Sequence, residues 1–114
     1  MTFKEQIAPF SWVEHDKSFS LLLYKVGEYK NEIFETRVDE GFEGGGYDWE
    51  SLARVFLNEK MPKLAEIVKF DSEASMFCAY SENAESLKLF AIEFKTACEN
   101  DKLICDLFSR AELD

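Results

Sequence analysis

The chain is predicted to be an α+β protein: one antiparallel sheet of about four strands, made of two hairpins, with helices packed on one face in the order ββααββαα. Three observations carry that expectation. Two pairs of segments rich in β-branched and aromatic residues flank short polar turns. Three other segments repeat apolar residues at helical spacing behind a polar capping residue. At 114 residues, with 46% hydrophobic and 15% aromatic content, the chain has the size and composition of one folded domain, taken as 1–114.

The first hairpin runs from residues 10–13 to residues 19–26 through His15-Asp16-Lys17-Ser18, and Gly27 closes its second strand. Tyr29, Ile33, Phe34, Arg37 and Val38 then fall at helical spacing and predict a short helix. A longer helix follows the glycine-rich segment. Asp48 is its expected N-cap, Glu50 complements its dipole, and Trp49, Leu52, Ala53 and Phe56 make its apolar face. Residues 58–60 and Pro62 end it, and residues 63–65 add one turn. The second hairpin joins residues 67–70 to residues 76–80 through Asp71-Ser72-Glu73-Ala74. Asn83 then caps a helix that turns Leu87, Phe90, Ala91, Phe94 and Cys98 to one side. Asp101 is the expected cap of the last helix, which carries Leu103, Ile104, Leu107, Phe108 and Ala111. Pro9 and Pro62, the only prolines, punctuate these elements.

Composition excludes several functions. Thirteen basic against 23 acidic residues give a net charge of −10. Both halves are equally acidic, so the charge is not a detachable tail. Such a field repels nucleic acid and anionic lipid and attracts a basic partner. The longest apolar run, Leu21-Leu22-Leu23-Tyr24, is too short to span a bilayer. Residues 1–10 include Lys4 and Glu5 and hold no apolar signal core, so a cytoplasmic location is expected. Cys78, Cys98 and Cys105 are odd in number and lack C-x-x-C spacing, and are expected to be buried, reduced thiols. The single histidine, His15, has no partner at ligand spacing, so no metal site or cofactor is expected. No G-x-S-x-G elbow presents a nucleophile, so no enzyme is expected. Eleven phenylalanines imply a core of large rings, with some to spare for a contact surface.

Four of the five glycines fall in Gly41-Phe42-Glu43-Gly44-Gly45-Gly46-Tyr47. The segment precedes a helix, as a phosphate loop does, but lacks the G-x-x-x-x-G-K-S/T pattern. Asp48 and Glu50 stand where phosphate would sit. The glycines are expected to form an irregular loop that needs positive φ, or a flexible rim that lets a partner approach the backbone. Acid is dense here, yet the D-x-D/N-x-D/N-G order of a calcium loop is absent. A docking patch for a basic protein surface is the functional reading, with Asp39, Glu40, Glu43, Tyr47 and Glu50 as the candidate contacts. Tyr47 is the expected exposed anchor and Trp49 a core residue.

Residues 41–53 resemble the signature segment of the Immunity protein 51 family of bacteria, above all in the Gly46-Tyr47-Asp48-Trp49 block before a helix. The resemblance continues through residues 70–81 and 106–113, and residues 1–40 match only loosely. Ser75 departs from it, standing where a turn glycine is expected, at a small cost in turn stability. The resemblance implies a cognate inhibitor, encoded beside a toxin of a polymorphic toxin system, that protects the producing cell by binding that toxin. The partner implied by the charge is a basic toxin domain. Two other readings remain open: a small-ligand-binding domain with an aromatic cavity, and an accessory domain acting as a homo-oligomer. The expected state is a monomer or a homodimer.

Overall fold

A computed structural model describes residues 2–113. It opens with a one-turn helix that the sequence reading left out, α1 (Phe3–Ile7), capped by the Thr2 hydroxyl, which accepts from the Glu5 amide. The strands β1 (Ser11–Glu14) and β2 (Phe19–Leu23) form the first hairpin. β2 stops three residues short of the expected end, where the chain turns through Gly27 at φ +85. The short helix α2 (Asn31–Glu35) and a single 3-10 turn (Val38–Glu40) replace the one helix expected across this stretch. Lys30, at φ 53, breaks the periodicity before α2 begins.

Next come α3 (Gly46–Lys60), a 3-10 turn (Pro62–Leu64), and the second hairpin of β3 (Lys69–Phe70) and β4 (Phe77–Ser81). The helices α4 (Ala84–Cys98) and α5 (Asp101–Phe108) complete the chain. The sheet order is β1-β2-β4-β3, antiparallel throughout, so the two hairpins meet where β2 pairs β4. Class, strand number and hairpin pairing are those expected. The cap of α5 shifts by one residue: Asn100, not Asp101, accepts from the Leu103 amide.

In register, Leu21 faces Ala79 and Leu23 faces Phe77, and these four side chains are fully buried under α3 and α4. On the other face of the same strands Ser20 lies opposite Tyr80 and Leu22 opposite Cys78; Tyr80 is exposed, while Ser20, Leu22 and Cys78 are largely buried. Alternation along each strand thus separates a fully buried core face from a second face.

The core is aromatic. Trp49 is fully buried, with Phe34 at 5.2 Å and the rings of Phe10 and Tyr29 each at 5.9 Å between centroids. Every expected apolar residue of α3 and α4 is buried. No phenylalanine is left over for a contact surface: eight are buried and Phe3, Phe19 and Phe70 pack partly buried against them. The exposed rings are those of tyrosines, Tyr24, Tyr47 and Tyr80. The thiol expectation also needs correction. Cys78 and Cys98 are buried, but Cys105 is exposed, because it falls to one side of the buried stripe of Ile104, Leu107 and Phe108 on α5.

Candidate functional site

The glycine-rich loop is held rigidly from below. Phe42 is buried and meets Phe108 edge-on at 4.9 Å, so the centre of the loop is anchored in the core. The Arg37 guanidinium lies 4.5 Å from the Phe42 ring centroid and 5.1 Å from that of Phe108. Its Nη1 donates to the carbonyls of Phe108 and Ala111 at 2.6 and 2.8 Å, while Nε and Nη2 grip the Glu40 carboxylate. One side chain therefore ties the 3-10 turn, the loop and the segment after α5 together. The bond from Arg37 also holds the Glu40 carboxyl below the usual carboxylate range.

The glycines answer the expected need only in part. Gly41 and Gly44 have positive φ, but Gly45 and Gly46 do not. These two sit against the turn between β3 and β4: a Cβ on Gly45 would stand 2.8 Å from the Ala74 carbonyl, and one on Gly46 would overlap the Glu73 and Met76 carbonyls. The Gly46 amide donates to the Ala74 carbonyl at 2.9 Å. The backbone that approaches Gly45 and Gly46 is the protein's own. Ser75, in that same turn, does not have positive φ, so the expected cost of lacking glycine there does not arise.

Asp48 is not the N-cap. Gly45 holds that position and offers no side chain. From the third residue of α3, Asp48 reaches back, and its Oδ2 accepts from the amides of Glu43 and Gly44 at 2.7 and 2.9 Å. A carboxylate at a helix start also complements the macrodipole. The buried Asp48 thereby fixes the loop's path into α3.

Above this frame lies a half-open hollow of about 280 Å³, lined by Gly41, Glu43, Gly45, Tyr47, Asp48, Ala74 and Leu113. Tyr47 and Leu113 are 48% and 49% exposed, and Val38, on the adjoining turn, is 59% exposed. Two of the seven exposed large apolar side chains among the described residues thus line one hollow. Asp39, Glu40 and Glu43 are exposed beside them, and the carboxylates of Asp39 and Glu43 enter no ion pair among the described residues.

Glu50 goes elsewhere. It was expected off the core, but it is buried beside β3, where it pairs with Arg54 at 2.5 Å and accepts from the Ser72 amide at 3.4 Å. Leu113, Val38 and Ala74 were not foreseen. An apolar residue beyond the last predicted helical turn was the available signal for Leu113.

The remaining surface has different chemistry. A larger hollow, about 650 Å³, is lined by Lys17, Lys69, Glu66 and Glu82 among others and balances its charges. Glu59 and Asp106 are both held below the usual range by bonds from Arg110, the direction opposite to that of a general acid. Among the described residues, no group of three or more His, Cys, Asp or Glu is placed to hold a metal ion. Among the described residues no helix is long and apolar enough to cross a membrane.

The α+β scaffold thus sets the half-exposed Tyr47 and Leu113 beside the carboxylates of Glu43 and Asp48. Residues 10–113 match the family described as Immunity protein 51, and the chain belongs to that family. Searches of curated proteins and of solved structures found no match.

Proposed function

We propose that the protein neutralises a cognate bacterial toxin in the cytoplasm by binding it, without catalysis, through the surface around the glycine loop. The observation that supports this most is the hollow itself. Tyr47 and Leu113 stand half-exposed beside Glu43 and Asp48, and no lysine or arginine lines the space. Aromatic anchors within a polar rim are the composition of interface hot spots. Acid at the rim favours a basic toxin domain and speeds encounter, from about 10⁶ toward 10⁹ M⁻¹s⁻¹ at low salt.

The test is association with the product of the neighbouring toxin gene, measured by stopped flow at two salt concentrations beside protection of cells expressing it. Asp39→Lys with Glu43→Lys should slow association about tenfold at low salt, with a narrower gap at high salt. Unchanged association and full protection would move the surface elsewhere, and no binding by wild type would remove the reading.

The accessory-domain reading draws on the exposed rings of Tyr24 and Tyr80 on the second sheet face. Light scattering separates it, since a homo-oligomer would persist without any toxin.

A further inference from the structure

We propose that the hollow between the start of α3, the β3–β4 turn and Leu113 is a receptor for one arginine side chain of the partner protein. The inference rests on the binding reading above and names the chemistry of its central contact. The wall holds two carboxylates, Glu43 and Asp48, and no cation. The nearby helix N-terminus contributes only about half a positive charge, so the hollow stays negative.

Asp48 makes the demand specific. The residue is only 9% exposed, its Oδ2 is engaged by two amides, and its Oδ1 takes no hydrogen bond among the described residues. Asp48 lines the hollow, and its second oxygen is an acceptor open to a donor from a partner. Glu43 adds a second acceptor at the rim, free of any ion pair among the described residues. A guanidinium supplies five donors in a planar fork that suits paired carboxylate oxygens, and it stacks on an aromatic face. Tyr47 offers that face, and Leu113 offers packing for the aliphatic stem. An ammonium would meet the charge but neither the fork nor the ring.

The hollow, of about 280 Å³, has room for a single side chain. The bare backbones of Gly41 and Gly45 let Leu113 and the Ala74 carbonyl stand close by, since an added Cβ at either would come within 2.8 Å of them.

The experiment is an amide-resolved NMR titration of the full chain with Nα-acetyl-arginine amide, the neutral citrulline analogue serving as control. Shifts should centre on Glu43, Gly44, Gly45, Tyr47 and Asp48, with a Kd on the order of 1 mM, fitting a single side chain. The citrulline compound should bind at least about tenfold more weakly, and Glu43→Gln and Tyr47→Ala should each weaken the arginine compound about three- to tenfold, their spectra otherwise intact. Absence of shifts at these amides, or equal binding of the citrulline compound, would overturn the proposal. Free arginine binding about a hundredfold tighter than the blocked form would overturn it too, in favour of a metabolite site. The two readings fail separately. If the neighbouring toxin binds wild type and Tyr47→Ala equally well, the receptor falls and the immunity reading stands. If the arginine compound binds but the toxin does not, the toxin reading falls.

Discussion

Leu113 lies directly over Gly41: a Cβ added to Gly41 would stand 2.8 Å from Leu113 Cδ2. A residue near the end of the chain thus closes one side of the hollow whose other side begins at the glycine loop. The Leu113 side chain can yield to a methyl group, but the Gly41 backbone, at φ 108, cannot accept one without strain.

Gly41→Ala should therefore lower stability by about 1 kcal/mol, through backbone strain. Leu113→Ala should leave the melting temperature nearly unchanged, because the side chain is half exposed. Both should weaken association with the toxin. Chemical denaturation beside binding kinetics separates the two effects, and a large loss of stability in Leu113→Ala would show that its role is structural.

Glu50→Lys should destabilise the fold, in contrast to reversals at the exposed Asp39 and Glu43. It would place a cation against Arg54 and strip the Ser72 amide of its acceptor. Because Arg54 is well exposed, the loss should be about 1–3 kcal/mol and not that of a fully buried pair. Urea unfolding decides the matter; a change within about 0.5 kcal/mol would contradict the burial described.

One thiol should react with an aromatic disulfide reagent in the native protein and two only after denaturant is added. Cys105 is the exposed one. Burial raises the thiol of Cys78 and raises that of Cys98 further, which shields both and keeps them protonated. Mass spectrometry of the labelled peptide should find the fast site in α5.

Phe94→Ala should cost about 3–5 kcal/mol. The ring meets those of Phe10, Trp49, Phe56, Phe77 and Phe90, all within 6.1 Å between centroids. A variant melting within a degree or two of wild type would place this face of α4 outside the core.

Most of the fold was legible because it is local. The Phe90 and Phe94 face of α4 follows from periodicity, and the hairpins follow from strand residues around polar turns. α1 carried its own signal, since Thr2 and Glu5 have capping-box spacing, but a single turn shows too little periodicity to stand out. For Cys105, residue type suggested burial while its position beside Ile104 on a helix implied exposure, and position won. At the candidate site, Tyr47 and Glu43 were legible as exposed residues of an acidic loop. Glu50 was misplaced because its partner amide lies 22 residues away. Leu113 was missed because only the folded chain brings it to Gly41. The spacing of the glycines recorded close backbone approach, without saying which backbone approaches.

The hollow draws its walls from residues 41–48, the turn at Ala74, and Leu113, with Arg37 holding the carbonyls of Phe108 and Ala111 in place. An unfolded chain presents no fragment of it. Recognition and folding are consequently one linked equilibrium: a partner that seats there adds its binding energy to the native state alone, about 4 kcal/mol when it is present at a thousand times its Kd. Sequence changes in the distant aromatic core then become tolerable in proportion to how much partner is present. A variant that is half unfolded by itself would be driven almost wholly native by the protein it restrains.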